Sequence, residues 1–423
     1  MADFRARTFA VTLHRIALSL LLALIWSSAV TQADDWPQFR GPSGQGHSGE
    51  AGLPIGWSES QNVVWKTPVP GRGWSSPVVA GGRVWVTTAV DEKGASLRAM
   101  AFDVASGREA VNVEVFRLRS AGLTNPKNSH ASPTPIVEGD RVYVHFGAEG
   151  TAALTTSGDI VWKARFPYES QHGNGGSPVL YGDLLIFSCD GSDDAFVVAV
   201  DKRSGKVRWK TSRRQPWDQA YSTPLVIRVG DRDQIVSAGA YRAAAYDPQT
   251  GKEIWRVSYA DGFSNVPRPV FGHGLVYIAT GFQQPSLLAV RADGAGDVTK
   301  THIAWTLTRA APLTPSPLLV GDELFIVNDG GIASCLDAKT GATHWVQRLG
   351  GGFSASPVFA DGRIYFLSEE GMSTVLAPGR EFRKLAASPL DGAILASMAV
   401  SERSIFIRTN THLYRLALPN AKS

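Results

Sequence analysis

The side chains of this sequence that could do chemistry do not stand at the spacings of common catalytic or metal-binding motifs. The two cysteines, Cys189 and Cys335, are too far apart for a CxxC motif and too few for a disulfide framework. The nine histidines show no metal-ligand spacing, and neither a GxSxG elbow nor a GxxxxGK(S/T) loop is present. The motifs therefore assign no catalytic residue and no metal site.

One acidic cluster stands out from this background. Asp190, Asp193 and Asp194 lie within the segment CDGSDDA, and carboxylate oxygens are ligands that calcium accepts. Their spacing matches no EF-hand loop, so a solvated acidic turn is the alternative interpretation.

The elements that would position such residues follow from an internal repeat. A β-rich run follows one register residue in each repeat, and these residues are Pro77, Pro135, Pro178, Pro224, Pro269, Pro317, Pro357 and Met398. Their intervals of 40 to 58 residues suit one four-stranded propeller blade per repeat. The sequence therefore predicts an all-β fold, an eight-bladed β-propeller of four-stranded blades.

A second motif, Ala-x-Asp-x-x-Thr/Ser-Gly-x-x-x-Trp, recurs inside the repeats and is clearest at 199–209 and 245–255. The Asp side chain can close a turn, the Gly supplies a positive φ, and a Trp on the outer strand can stack on a neighbouring turn. We therefore expect this motif to dock one blade on the next. The predicted docking residues are Trp65, Trp162, Trp209, Trp255, Trp305 and Trp345. In blade 7 the alignment puts Arg383 at this position.

The last repeat ends before a fourth strand, whereas the segment NVVWKTPV (62–69) precedes the first repeat as an isolated strand. We expect this segment to complete the last blade, because a closed ring leaves no exposed sheet edge. One propeller then spans 62–418, with an extended leader at 34–61 and a tail at 419–423. Removal of the leader residues 34–45 is expected to be mild.

Residues 1–33 have the features of a signal peptide: basic residues up to Arg15, an apolar run from Ile16 to Trp26, and small residues up to Ala33. The apolar run is shorter than the roughly 20 residues that span a bilayer, so a retained anchor is the alternative. We expect a periplasmic or secreted protein with no transmembrane span after cleavage. The formal net charge of +4 gives no electrostatic case for binding nucleic acid.

Long and varied loops join the blades on one face, and this face is where we expect a binding site. The residue before each register position should lie near the channel mouth, where seven hydroxyl residues and Arg268 form a ring. The hydroxyls are expected to bond nearby backbone. Arg268 could hold an acidic group of a ligand or partner, or could pair with an internal carboxylate.

Further residues of these loops are candidates for contact with a partner, with surface or packing roles as the alternative. They are His130, His172, Trp74, Trp217 and Tyr221, together with Tyr168, Phe263 and the three aspartates of the acidic cluster.

The docking motifs at 199–209 and 245–255 resemble those of PQQ-like, quinoprotein-type β-propellers, over roughly residues 60–418. The leader WPQFRGPSGQG (36–46) is similar to that of secreted bacterial PQQ-like repeat proteins. The resemblance implies two kinds of function. Quinoprotein alcohol dehydrogenases hold PQQ against a disulfide of adjacent cysteines, with calcium on acidic and amide side chains. The BamB branch binds partners through loops and catalyses no reaction.

Cys189 and Cys335 cannot supply the adjacent cysteine pair, and the leader lacks the lipobox cysteine of the BamB branch. Our hypothesis is an exported, non-enzymatic and monomeric binding module that recognises an envelope or secreted protein, or another envelope ligand, without a cofactor. The alternative is a PQQ- or metal-dependent oxidoreductase with its site at the channel mouth.

Overall fold

Eight antiparallel sheets of four strands follow one another along the chain and form the blades of an eight-bladed β-propeller in the computed structural model. The structure describes residues 35–91, 95–119, 122, 124–213 and 219–419. The predicted signal peptide lies outside these residues. The predicted fold class is confirmed.

In blades 1 to 7 the four main strands run outwards from the channel in chain order. The strands up to the end of blade 4 are β1 (Val63–Pro68), β2 (Val78–Ala80), β3 (Arg83–Val90), β4 (Ser96–Asp103), β5 (Glu109–Arg117), β6 (Ile136–Glu138), β7 (Arg141–His145), β8 (Thr151–Thr155), β9 (Ile160–Ala164), β10 (Val179–Tyr181), β11 (Leu184–Asp190), β12 (Ala195–Asp201), β13 (Val207–Ser212), β14 (Leu225–Val229), β15 (Arg232–Ala238), β16 (Arg242–Tyr246) and β17 (Glu253–Ser258).

The remaining strands are β18 (Gly262–Phe263), β19 (Val270–Gly272), β20 (Leu275–Ala279), β21 (Phe282–Gln283), β22 (Leu287–Arg291), β23 (Gly296–Asp297), β24 (Ile303–Leu307), β25 (Leu318–Val320), β26 (Glu323–Val327), β27 (Ile332–Asp337), β28 (Thr343–Arg348), β29 (Val358–Ala360), β30 (Arg363–Leu367), β31 (Met372–Leu376), β32 (Lys384–Pro389), β33 (Ala399–Ser401), β34 (Ser404–Arg408) and β35 (His412–Leu416). Within the described part of the chain one 3-10 turn occurs, Gly147–Glu149, between β7 and β8.

The sheets fix the blade assignment. Blades 1 to 3 are β2–β5, β6–β9 and β10–β13, and blade 4 is β14–β17 with the short β23 added in parallel. Blade 5 contains β19, β20, β22 and β24, while blades 6 and 7 are β25–β28 and β29–β32. In all of the first seven blades the inner strand begins directly after the register proline.

The ring is closed by the N-terminal strand, as the sequence predicts. Strand β1 pairs antiparallel with β35 and so becomes the outer strand of blade 8, beside β34 and β33. The first and last strands of the propeller thus share one sheet. This pairing supplies the outer strand that the last repeat lacks, so blade 8 has four strands like its neighbours.

Most of the predicted docking tryptophans lie against the next blade. The indole of Trp209 in blade 3 donates to Pro248 O in blade 4 at 2.9 Å, and a Cβ built on Gly251 would lie 2.4 Å from the indole ring. The turn itself is closed by the Asp247 side chain, which accepts from the backbone N–H and the hydroxyl of Thr250. The same donation to a carbonyl of the next blade is made by Trp65, Trp162, Trp305 and Trp345.

Two positions depart from this pattern. Trp255 is fully buried and donates to Gln234 Oε1 within its own blade, because blade 5 has an expanded turn whose strand β23 covers Trp255 instead of a tight glycine turn. In blade 7 the strand pairing opposes Val375 to Ala386, so Arg383 does not occupy the tryptophan position. Phe382 contacts Trp345 edge to face instead.

Cys189 and Cys335 are both free and buried, in blades 3 and 6. Burial raises the pKa of the Cys335 thiol to about 12, which keeps it protonated and unreactive at neutral pH. No helix of the described residues has the length and apolar character needed to cross a membrane.

The docking geometry predicts unequal effects of two glycine substitutions. Gly251 and Gly362 both have φ of +69°, so alanine strains the backbone of both by about 1 to 2 kcal/mol. The new methyl group meets the Trp209 ring only at Gly251, whereas nothing lies within 4 Å at Gly362. We expect Gly251→Ala to lower the free energy of unfolding by about 1 to 3 kcal/mol more than Gly362→Ala. Equal denaturant midpoints for the two variants would contradict the docking role.

A buried histidine predicts a pH dependence of stability. Burial lowers the pKa of His145 to about 3, and its Nδ1 lies 2.8 Å from Thr151 Oγ1. Between the ordinary pKa of 6.5 and about 3, the unfolded chain binds a proton at this side chain and the folded chain does not, so stability falls as pH falls. Denaturant unfolding across this range should show a shallower loss in His145→Gln. Parallel pH profiles would show that His145 makes no contribution.

Candidate functional site

A ring of eight residues surrounds the channel directly before the inner strands, and we call it the deep ring. Its members are Ser76, Thr134, Ser177, Thr223, Arg268, Ser316, Ser356 and Ser397, and all are buried. The residues two positions earlier also line the channel and form an outer ring nearer the loop face. The outer ring consists of Trp74, Ser132, Gly175, Tyr221, Val266, Thr314, Ser354 and Leu395.

The deep ring is held by hydrogen bonds that run from blade to blade. The backbone N–H of Ser76 donates to Thr134 Oγ1 at 3.0 Å, and that of Thr134 donates to Ser177 Oγ at 2.8 Å. The same contact recurs from Ser177 to Thr223, from Arg268 to Ser316, from Ser316 to Ser356 and from Ser356 to Ser397. The hydroxyls therefore bond backbone of the neighbouring blade, as the sequence interpretation expects.

A cavity of about 420 Å³ opens inside the two rings on the face of the long loops. Its walls are the seven hydroxyl residues of the deep ring and all eight residues of the outer ring. Phe263 and Phe282, which pair through β18 and β21, stand in its wall, and Phe282 is 56% exposed. Phe39 of the leader also lines the cavity.

The leader enters the opposite end of the channel. Trp36 exchanges two backbone hydrogen bonds with Val79 of blade 1, and Val137 of blade 2 donates to Pro37 O. Farther along, Gln45 Oε1 accepts from the N–H of Phe271 in blade 5, and Gly46 O accepts from that of Phe359 in blade 7. The leader thus contacts blades on opposite sides of the ring, which leaves the cavity with its mouth on the loop face.

Arg268 holds the leader and does not line the cavity. Its guanidinium donates to Phe39 O at 2.8 Å and to Pro224 O at 3.0 Å, and the residue is 2% exposed. These backbone partners match neither role considered from the sequence, direct contact with an acidic group of a ligand or partner, or an ion pair with an internal carboxylate. Arg40 of the leader is buried beside it and donates to the carbonyls of Pro317 and Ser316.

The other predicted contact residues are only partly brought together. Trp74, Tyr221 and His172 line the cavity, with the rings of His172 and Tyr221 6.2 Å apart. His130 lies in the neighbouring loop and contacts Gly122 O, outside the cavity wall. Trp217 lies outside the described residues.

The acidic cluster of blade 3 is occupied by protein contacts. Asp190 forms a buried, two-pronged ion pair with Arg213; burial raises the pKa of this carboxyl, and the guanidinium opposes that effect. Asp193 accepts from the backbone N–H of Glu169, and Asp194 lies 3.0 Å from the Lys210 ammonium. Among the described residues no group of three or more His, Cys, Asp or Glu side chains could hold a metal ion.

Sequence reasoning missed several residues of the cavity wall. Phe39 comes from the leader, and Phe282, Leu313, Lys127 and Asp329 come from loops with no repeated motif. Lys127 in the connection between blades 1 and 2 pairs with Glu369 of blade 7 at 2.8 Å. The leader motif at 36–46 was the one sequence feature that pointed to any of these residues, and it did not show where on the propeller the leader binds.

Residues 48–188, 96–244 and 239–382 match the PQQ_2 family, described as "Outer membrane protein assembly factor BamB". These segments together cover most of the chain. The chain belongs to this family.

Individual relatives cover less of this BamB-family chain. It is 24% identical over 206 residues to the outer membrane protein assembly factor BamB of Legionella pneumophila, which covers 45% of this chain and 49% of that protein. It is 28% identical over 163 residues to the lanthanide-dependent methanol dehydrogenase of Methylorubrum extorquens, covering 35% of this chain and 26% of the enzyme. The chain thus spans about half or less of the length of these curated relatives.

The crystal structure of BamB from Moraxella catarrhalis is similar in fold. It superposes with a TM-score of 0.61 at 12% sequence identity, over 85% of this chain and 98% of that one. At this identity the similarity shows the fold alone.

The cavity of this BamB-family chain does not fit the cofactor centre that the dehydrogenase resemblance implies. Cys189 and Cys335 lie in strands of different blades and cannot form a disulfide of adjacent cysteines. Among the described residues the cavity wall contains one carboxylate, Asp329, whose oxygens already accept from Leu313 N, Thr314 N and Thr314 Oγ1. We therefore derive no reaction step through PQQ or a metal.

The leader geometry predicts that its removal is severe, in contrast to the mild effect expected from the sequence. Deleting residues 36–47 removes the buried Trp36, whose loss alone costs about 3 to 5 kcal/mol, and leaves Arg268 without its Phe39 partner. We expect a large fall in the thermal unfolding midpoint. Truncation of the tail residues 419–423 is the control and should change little. A midpoint equal to that of the control would contradict the role of the leader.

Proposed function

We propose that this chain is an exported binding module that recognises a protein of the cell envelope, or a secreted protein, through its loop face and channel mouth. The observation that carries the proposal is the cavity of about 420 Å³ with its mouth on that face and the leader across the other end of the channel. A concave, largely apolar site with a few polar groups is the usual form of a binding pocket.

The chemistry of the cavity favours binding over catalysis. In the described part of the wall, deep-ring hydroxyl oxygens such as Thr134 Oγ1 accept backbone N–H groups, and the carboxylate of Asp329 accepts three hydrogen bonds. The one histidine of that part, His172, lies beside Tyr221. No nucleophile with an adjacent base is found in the described part of the cavity wall. Exposed aromatic residues such as Phe282 are frequent anchors of protein interfaces.

The family to which the chain belongs also supports a binding function. Assembly factor BamB is the description of the matched family and the name of a curated relative and of a solved structure with the same fold. We propose by this likeness a periplasmic or secreted location, a monomer and a partner in the envelope.

Site-specific photo-crosslinking tests the proposed face. A photoreactive residue at Phe282 should capture a discrete partner in the native host envelope, because this rim position is 56% exposed beside the cavity. The control positions are Val207, 54% exposed on the outer strand of blade 3, and Lys339 in a turn of the opposite face. Capture from the control positions with none from Phe282 would overturn the assignment of the face.

The enzymatic alternative has its own test. Titration of the purified protein with PQQ and calcium, followed by absorption spectroscopy and dye-linked alcohol oxidation, should show no saturable binding and no turnover. Saturable binding with turnover would replace the binding module by a dehydrogenase.

A further inference from the structure

Three buried arginines lie behind the cavity wall and have no acidic partner among the described residues. Arg40, Arg268 and Arg408 are each at most 2% exposed, and burial lowers the pKa of each to about 9. Their hydrogen bonds go to backbone carbonyls and, for Arg408, also to Ser75 Oγ at 2.8 Å. Among the described residues no carboxylate forms an ion pair with any of them, although a buried charge normally requires one.

All three guanidiniums contact the backbone of the cavity wall or residues adjoining it. Arg268 donates to the carbonyl of Phe39, and Arg40 lies 3.4 Å from that of Ser316. Arg408 donates to Ser75, which separates Trp74 of the outer ring from Ser76 of the deep ring. Since interactions between charges are weakly screened in a protein interior, these cations give the cavity a positive potential.

The deep ring offers hydrogen-bond donors to the same space. Six of its seven hydroxyl oxygens, all but that of Ser76, accept a backbone N–H group of the neighbouring blade, as Thr134 Oγ1 does from Ser76. For these hydroxyl protons no acceptor is found among the described residues, and the hydroxyl side chains line the cavity. The deep end of the cavity therefore presents positive charge and O–H donors, which suit an anionic oxygen ligand.

The mouth of the cavity has a different character. Trp74, Tyr221, Val266 and Leu395 of the outer ring and the exposed Phe282 supply apolar surface nearer the loop face. Asn125, Asn128 and Lys127 add polar groups beside them. A ligand that fits both ends carries an anionic oxygen group at its tip, an apolar group behind it, and a polar chain that leaves through the mouth.

We propose that the cavity binds the C-terminal carboxylate of a partner polypeptide whose last residue is apolar. The carboxylate lies in the deep ring, where the arginines offset its charge, and the apolar side chain packs on the outer ring. Capture of a chain end by converging donors is a known mode of peptide recognition. This inference rests on the proposed function, because it names the part of the protein partner that the channel mouth recognises.

A peptide that differs only at its chain end tests the inference. The probe is a fluorescent Gly-Ser peptide ending in Leu with a free carboxylate, and its control is the same peptide with a C-terminal amide. The free acid should bind the purified protein saturably and about tenfold or more tightly than the amide, the range of a charge-assisted contact. A peptide acid ending in Ser should bind more weakly than the one ending in Leu. Equal affinity of acid and amide, or no binding, would overturn the proposal.

A fatty acid carries the same two groups, a carboxylate and an apolar chain, and it is tested in parallel. Decanoate carries a carboxylate on an apolar chain but has no peptide backbone. It should displace the Leu-ended peptide acid only weakly. Binding of decanoate as tight as that of the peptide acid would overturn the peptide assignment in favour of a fatty acid.

A variant pair isolates the buried charge. Arg268→Gln should lower the ratio of acid to amide affinity, whereas Arg383→Gln, at an exposed arginine of blade 7, should leave it unchanged. A merely structural role of Arg268 would weaken both peptides alike and would contradict the inference. If Arg268→Gln does not fold, the acid and amide comparison on the unaltered protein still decides. Capture at Phe282 together with equal acid and amide affinity removes this inference alone and leaves the proposed function standing.

Discussion

The packing of one blade on the next is directed at five of the eight junctions by an indole that donates to a carbonyl of the next blade, and at four of these the indole lies on the turn glycine of that blade. A four-stranded blade is apolar on both faces and cannot bury them alone, so each blade is stable only when packed between two others. The indole adds direction to this packing, because its N–H donates to a carbonyl of the same turn, as Trp162 does to Lys202 O. The glycine is required since a Cβ on Gly205 would lie 2.6 Å from that indole.

Closure of the ring creates a central channel, and the leader determines what the channel becomes. The leader buries Trp36 and Arg40 and joins blades far apart in sequence, as the core cluster that holds Trp36 with Leu416 of blade 8 illustrates. Its path turns an open passage into a cavity with its mouth on the loop face. The deep end of that cavity is polar because the hydroxyls that line it also form the hydrogen bonds between neighbouring blades.

The repeated parts of this architecture could be predicted from the sequence, because they depend on local patterns. The register prolines predict the inner strands, and the early end of the last repeat predicts the pairing of β1 with β35. The leader could not be placed, because its partners are contacts such as that between Phe39 and Arg268, 229 residues apart. For the same reason the sequence gives no hint that the expanded turn of blade 5 covers Trp255. Of the candidate site, the outer-ring residues Trp74 and Tyr221 could be found from the repeat register, whereas Phe282 and Asp329 follow no repeat.

The central claim is that the leader is an integral part of the propeller and confines binding to one mouth. Hydrogen exchange of single backbone amides tests it most directly. The N–H groups of Trp36, Gly46 and Ser48 donate to Val79 O, Arg40 O and Phe359 O inside the channel. The account predicts that they exchange as slowly as the N–H groups of β12, a central strand that is paired on both sides within blade 3, since both open only when the ring opens. Exchange at the rate of exposed loop amides, with β12 still protected, would contradict it.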